Sequence, residues 1–488
     1  MVTGVAKLAD IEEIESVPLE RRDLPSSTYE AIQQGAAINP DKIALQFFLQ
    51  GVEFTDAVFY TYKDLMGLIN QTANMFNDLG IGQDDVVSMI LPNLPQSYFT
   101  IFGGEAAGIV NPINPMLEQQ VMADIMNAAG TKLLVTLAPF IGTDIWQKVA
   151  SIAGQVPTLE TILQVDLASY LSTVKKLAVK WILFRGDKGP QMRIPVYDFV
   201  KTARRYTGEK LLSGRQFQPD DIASYFHTGG ITGTPKLAQH THFNEVFDAW
   251  SSAEAIPLSA DHKIFCGLSL FHVNGVIVNG LIPWMKGASV VLGSPSGYRA
   301  EDVVPNFWQI VDFYKINFFS GVPTLYSSLL NVPVGEADIS TLEFAFCSEA
   351  PMPVEVFHQF EERTKIQILE GYGLTEGTCV SSANPFAGEK RVGSIGLRLP
   401  YQEMKVVMLD GEGNYLKDCA VDEIGFIVMR GPNIFAGYKD EAHNRSTWID
   451  TGDGQGLWLN SGDLGRQDLQ GYFWLTGKEK ELNELAIS

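Results

Sequence analysis

Apolar residues recur at helical spacing from Tyr62 to Leu79, at Leu65, Leu68, Ile69, Ala73, Phe76 and Leu79, and Gly80 ends the run. Asp85 to Leu91 reads as a buried strand closed by Pro92-Asn93. Helical patterns at Ser97 to Ala107 and Glu118 to Ala129 follow, with Pro112-Ile113-Asn114-Pro115 between them and a strand pattern at Lys132 to Leu137 behind them. Upstream, the pattern predicts a helix over Thr28 to Gly35 and a strand over Ile43 to Phe48. Alternating strand and helix is the mark of a parallel α/β sheet. The alternation resumes with strands at Ile222 to Phe226, Lys263 to Leu270, Ala288 to Leu292, Phe318 to Gly321, Leu342 to Cys347 and Gln367 to Glu370. A helix is expected from Phe243 to Ala255, with Thr241 as its cap. From Arg391 onward Gly, Asp and short alternating runs dominate, at Lys405 to Leu409, Gly425 to Arg430 and Tyr472 to Thr476, which predicts an antiparallel unit. The expected architecture is α/β: two parallel-sheet subdomains in residues 1–390, a distorted antiparallel β-barrel subdomain in 391–476, and a stub over 477–488.

At 488 residues the chain is too long for one core. Its 45% hydrophobic and 19% charged residues are ordinary for a globular protein. A formal charge of −21 argues against a nucleic-acid or anionic-membrane surface, while leaving room for a local cationic pocket that holds a phosphate. Cys266, Cys347, Cys379 and Cys419 are scattered without metal-ligand spacing, which fits reduced residues of a cytoplasmic protein. No signal peptide is legible at the N-terminus, and no apolar run approaches the roughly 20 residues needed to cross a bilayer. Residues 171–193 combine Leu171, Leu177, Trp181, Ile182, Leu183 and Phe184 with Lys175, Lys176, Lys180, Arg185 and Lys188. Two readings fit this segment: an insertion helix packed on its own domain, or peripheral contact with a membrane surface.

The densest candidate chemistry lies in Thr228-Gly229-Gly230-Ile231-Thr232-Gly233-Thr234-Pro235-Lys236. Glycines let backbone amides approach an anion, and threonine hydroxyls and one ammonium add donors, so the stretch reads as a phosphate loop. A Walker A loop is excluded, because Lys236 follows Pro235 rather than glycine and precedes Leu237. A second stretch, Glu370-Gly371-Tyr372-Gly373-Leu374-Thr375-Glu376-Gly377, closes a predicted strand, where ligands of open α/β sheets sit. It offers an aromatic face, a hydroxyl and a hard oxygen ligand for Mg²⁺. A third, Ser461-Gly462-Asp463, follows Trp458 and precedes Asp468, Gly471-Tyr472 and Gly477-Lys478.

The first stretch resembles the [YF]-[TS]-S-G-[TS]-T-G-x-P-K-G signature of the AMP-forming acyl-CoA synthetases, luciferases and peptide-synthetase adenylation domains. The second matches that superfamily's Y-G-x-T-E motif, and the third resembles its W-x-x-[TS]-G-D run. His272, in Phe271-His272-Val273-Asn274-Gly275, matches a segment lining the acyl side, although a lone histidine also serves structure alone. Gly321-Val322-Pro323 resembles a border of the acyl tunnel, and Ser348-Glu349-Ala350-Pro351 falls where members carry small residues against the adenine. The resemblance implies a ligase that activates a carboxylic acid, of fatty acyl type, with ATP and Mg²⁺, and then passes the acyl group to coenzyme A. It implies catalytic roles for Thr375, Glu376, Lys236 and His272, with Glu376 as metal ligand. It assigns nucleotide contacts to Thr228, Gly229, Gly230, Thr232, Gly233, Thr234, Glu349, Ala350, Pro351, Gly371, Tyr372, Gly373, Asp463 and Lys478, Asp463 reading the ribose.

Three positions depart from the family pattern. Ile231 replaces a hydroxyl residue, Glu349 stands where a small residue is expected, and Lys478 replaces an arginine, with which it is not interchangeable. Gly477-Lys478-Glu479-Lys480-Glu481 resembles the family's hinge, and the sequence ends at Ser488. On that resemblance the C-terminal domain with its bridging lysine is expected to be missing and turnover impaired. The competing expectation is a remnant that binds nucleotide or acyl ligand without catalysis.

Overall fold

The computed structural model describes residues 4–185, 193–228 and 235–478. Three sheets organise them. The first has seven strands in the order Val196–Asp198, Thr161–Val165, Thr131–Leu137, Val86–Ile90, Ile109–Pro112, Ile222–Thr228 and Lys236–Thr241. All its pairings are parallel except the last, an antiparallel hairpin. The second has nine strands, and its centre, from Ile43–Phe48 through Ser289–Gly293, Lys263–Cys266, Phe318–Gly321 and Phe344–Cys347 to Gln367–Tyr372, is parallel. The third, antiparallel throughout, has six strands between Glu403 and Lys478 and is bulged in three pairings. Two parallel sheets and one antiparallel sheet are thus the observed form of the expected α/β architecture.

The helix Tyr62–Asp78 starts on a capping box, in which Thr61 Oγ1 accepts from the Asp64 amide at 3.1 Å and Asp64 Oδ2 accepts from the Thr61 amide at 2.9 Å. It ends where Gly80 takes a φ of +92°. Its apolar stripe, Leu65, Ile69, Ala73 and Phe76, is completely buried. It packs on the helix Pro95–Ala107, every residue of which is buried, and a Cβ on Gly103 would sit 2.8 Å from the Thr72 side chain, so glycine allows the two helices to close. At this centre Trp284 meets Tyr98 and Phe102 edge-on and its indole N–H donates to Ala44 O at 2.9 Å, joining the helical layer to the nine-stranded sheet.

Several short strands were absent from the sequence pattern, among them Ala57–Thr61, Ile109–Pro112, Thr161–Val165, Val196–Asp198 and Lys236–Thr241. Lys236–Thr241 matters most, because the expected phosphate loop connects two antiparallel strands rather than a strand and a helix. Thr228 and Lys236 are register partners that close this hairpin. Thr241 still caps the next helix, His242–Ala255, through a capping box with Asn244. The insertion reading at 171–193 is resolved into a helix over Thr173–Arg185.

Behind the hairpin lies a buried polar cluster. Thr28 Oγ1 donates to Glu105 Oε2 at 2.5 Å, Ser224 Oγ donates to Glu245 Oε1 at 2.5 Å, and Arg215 pairs with Asp221 at 3.3 Å. Burial, and then the neighbouring Glu245 carboxyl, hold the Glu105 carboxyl well above the usual range. A carboxyl so raised keeps its proton in the fold, while the unfolded chain releases it above an ordinary value of 4.5. Stability is therefore lost as pH rises from there towards the folded value, by up to about 1.4 kcal/mol per pH unit. Glu105→Gln removes this titration, so its melting temperature is expected to gain on that of the parent from pH 5 to pH 8, as calorimetry at a series of pH values will show.

Candidate active site

The strand Lys236–Thr241 is paired on both sides. Opposite its hairpin partner it bonds to residues 436–439 from the antiparallel unit: the Gln239 amide to Gly437 O at 3.0 Å, the Ala436 amide to Gln239 O at 2.9 Å, and the Lys439 amide to Leu237 O at 2.9 Å. This ladder sets Tyr438 over the end of the phosphate-loop hairpin, with Lys236 Nζ 5.0 Å from its ring centroid. The Tyr438 hydroxyl donates to Glu376 Oε1, and the Phe435 amide donates to Glu376 O at 3.0 Å. Burial and the Glu376 carboxylate push the Tyr438 phenol well up.

The loop carrying Thr375 and Glu376 is held from several sides. His240, completely buried on the same strand, lies with Nε2 2.7 Å from Thr375 O; since a carbonyl only accepts, that nitrogen carries the hydrogen. Asp248, on the following helix, accepts from the Val380 amide at 3.2 Å. Asn244 Nδ2 donates to Pro432 O at 2.7 Å and Ile434 O at 3.0 Å, fixing the segment that leads to Tyr438. Gly373 has no room for a side chain, because a Cβ would overlap the carbonyl of Cys379. The sharp return at Thr378, with a φ of +66°, is secured by its hydroxyl donating to Asn433 O at 2.6 Å.

Tyr372 and Asp463, 91 positions apart, meet: the tyrosine hydroxyl donates to Asp463 Oδ2 at 2.6 Å. Tyr372 and Tyr438 belong to one apolar cluster with Ile427, Met429 and Phe435. Lys236, Thr375, Glu376, Tyr372 and Asp463, expected from the sequence, therefore share one cleft between the hairpin, the end of the strand Gln367–Tyr372 and the antiparallel unit. Thr228 borders it, and Lys478 is the register partner of Asp463. Gly229, Gly230, Ile231, Thr232, Gly233 and Thr234 lie outside the described residues.

Glu349, Ala350 and Pro351 form an exposed rim after the strand Phe344–Cys347. Glu349 takes a φ of +74°, a conformation suited to glycine. His272 is exposed beside Phe271, their ring centroids 4.6 Å apart, and stands apart from the Glu376 cluster. It faces His227, which the sequence pattern did not single out and which stands at the aromatic [YF] position of the expected signature. His227 Nε2 accepts from the Asn114 amide at 3.3 Å, and burial, followed by His272, pulls its pKa down to about 4, so it is neutral. Tyr438 and His240 were also passed over; each owes its place to long-range strand pairing that no local spacing announces.

A pocket beside the strand Gln367–Tyr372 is lined by apolar surface, including Ile256, Val278, Phe318, Phe344, Phe346 and Val380. Phe346, which lines this pocket, packs under Gly371, where a Cβ would overlap its ring, so the pocket lies one aromatic ring away from the strand that carries Tyr372. Among the described residues no group of three or more His, Cys, Asp or Glu side chains is arranged to hold a metal ion. Glu376 alone is a donor set that suits Mg²⁺ held through one carboxylate, water and substrate phosphates.

Known proteins bear on this geometry. The family of AMP-binding enzymes matches residues 32–439. Marinolic acid–CoA ligase of Pseudoalteromonas sp. (strain SANK 73390) is 32% identical over 483 residues, covering 98% of this chain and 69% of the relative. Long-chain-fatty-acid–CoA ligase of Bacillus subtilis (strain 168) is 28% identical over 476 residues, covering 94% of this chain and 78% of the relative. In fold, a crystal structure of an anthranilate CoA ligase in complex with anthranoyl-AMP superposes with a TM-score of 0.77 at 23% identity, over 94% of this chain and 79% of that one. The expectation that a C-terminal domain is missing, with turnover impaired, is not borne out by these alignments. Matched over most of its length and by a relative of this identity, the chain belongs to the AMP-binding enzyme family.

Proposed function

We propose that this protein is an AMP-forming acid–thiol ligase that joins an apolar, fatty-type carboxylic acid to coenzyme A through an acyl-adenylate. The observation that carries the reading is the convergence of Lys236, Glu376, Tyr438, Tyr372 and Asp463 in one polar cluster, with an apolar pocket on the other side of Phe346 from Gly371. A carboxylate bound between the two has its chain in the pocket and its oxygens beside the α-phosphate of ATP. The carboxylate oxygen attacks the α-phosphorus, the bond to the bridging oxygen of the β-phosphate breaks, and pyrophosphate leaves; the thiol of coenzyme A then displaces AMP from the acyl carbon.

The work of this chain's residues is electrostatic and positional. Lys236 supplies positive charge at the phosphate end, with its direction set by the face of Tyr438. The hydroxyl of Thr375 and the backbone around Gly373 address the phosphates, and Asp463, oriented by Tyr372, accepts from ribose hydroxyls. Glu376 would hold Mg²⁺, which neutralises phosphate charge when bound. Tyr438 fixes the Glu376 carboxylate by bonding one oxygen and leaving the other to face the cleft. Glu349 sits at the rim of the cleft and places negative charge where a polyphosphate approaches.

Pyrophosphate release by the purified protein with straight-chain alkanoic acids of increasing length is expected to rise in kcat/KM by roughly fourfold per methylene until the pocket is full, about 0.8 kcal/mol each. A preference for small doubly charged acids would overturn the fatty-type assignment, and ATP binding without release on any acid would favour non-catalytic binding. Glu376→Gln is expected to lower kcat by about a hundredfold, with Tyr438→Phe losing less, in the same assay. Glu349→Gly relieves a strained backbone and is expected to stabilise the fold by about 1 kcal/mol in denaturant titration, and to lower the KM for ATP.

A further inference from the structure

Along the helix Thr173–Arg185 the apolar side chains of four positions are turned outwards. Val174 is 80% exposed, Leu177 64%, Trp181 57% and Ile182 50%. With Ala178 these positions follow the i, i+3, i+4, i+7, i+8 rule, so they form a single ridge along one face. The opposite face, with Val179 and Leu183, is half-buried against the body. The ridge continues past the helix, because Lys175 Nζ pairs with Glu53 at 2.8 Å and the adjoining Val52 is 66% exposed. Single exposed apolar residues are unremarkable, but a contiguous ridge of this kind marks an interaction surface.

Charge identifies the occupant. The whole chain carries 57 acidic against 36 basic residues, yet this helix contains Lys175, Lys176, Lys180 and Arg185 and no Asp or Glu. Screening over about 8 Å at physiological salt means that the local balance, rather than the net charge, meets a surface at close range. A second copy on the same ridge would bring like charges together. A convex ridge of 13 residues, about 20 Å long, is also too short to span a bilayer but suits the boundary between headgroups and acyl chains. Among the described residues no helix is long and apolar enough to cross a membrane.

We infer that the helix Thr173–Arg185 docks this protein peripherally onto an anionic lipid surface, with Val174, Leu177, Trp181 and Ile182 entering the headgroup boundary and the flanking lysines meeting lipid phosphates. This rests on the helix alone and not on the ligase reading, since docking requires neither ATP nor acid.

Flotation of the full chain with vesicles of phosphatidylcholine, and of phosphatidylcholine mixed with phosphatidylglycerol, tests it without any substrate. The expected result is co-flotation with the anionic vesicles, weakened by salt, and reduced by about tenfold in Leu177→Glu and in Trp181→Glu. Lys175→Gln is expected to weaken the preference for phosphatidylglycerol. Unchanged thermal melts of these exposed-site variants establish that they fold. Absence of co-flotation, or its persistence in both glutamate variants, would overturn the proposal. So would light scattering that reveals a dimer broken by Leu177→Glu in a protein that ignores vesicles.

Discussion

Everything in the cleft depends on a six-residue strand that finds hydrogen-bond partners along both edges. Backbone amides and carbonyls buried without partners cost free energy, so Lys236–Thr241 is held where both rows are satisfied. One row belongs to the parallel seven-stranded sheet and the other to the antiparallel unit. The strand thereby joins two bodies that are distant in the chain, and the alternation of its side chains decides what faces where. Lys236 and His240, four positions apart, share one face: Lys236 opens the strand against Tyr438, and His240, further in and completely buried, reaches the carbonyl of Thr375.

Under that strand the interior is unusually polar. Glu105, Glu245, Asp248, His240 and His242 are all completely buried, and several of their nitrogen and oxygen atoms have no protein partner. Burial drives the Asp248 carboxyl and the Glu105 carboxyl upwards and drives His242 down to about 3, so the cluster persists by shedding charge. Such groups stabilise poorly compared with packed apolar residues, but they are directional. His240 and Asp248 grip the loop from Thr375 to Val380 and Asn244 grips the segment before Tyr438, which links the position of both to one helix and one strand.

The layout was legible in the sequence wherever the local pattern and the tertiary burial agree. The central strands Val86–Ile90, Phe318–Gly321 and Gln367–Tyr372, the helix at Tyr62–Asp78 and the Thr241 cap follow from apolar spacing and capping chemistry. Lys236–Thr241 did not, because Lys, Gln, His and Thr read as polar loop until partners on both sides are known. Ile109–Pro112 was hidden by its proline, which sits at the end of the strand where its missing amide does no harm. Of the cleft, Tyr372, Glu376, Asp463 and Lys236 came from motif resemblance, whereas Tyr438 and His227 needed the fold. Their neighbours are 62 and 113 positions away.

The doubly paired strand has one more implication. A segment with both rows of amides occupied offers nothing to a passing chain, but peeling residues 436–439 away would leave it as the uncovered margin of a seven-stranded sheet. Any large excursion of the antiparallel unit would thus expose a template for intermolecular strand addition. Mutations that loosen Asn244 or Tyr438 are accordingly a route to aggregation as much as to altered chemistry, and the closed state of the cleft doubles as the molecule's protection against it.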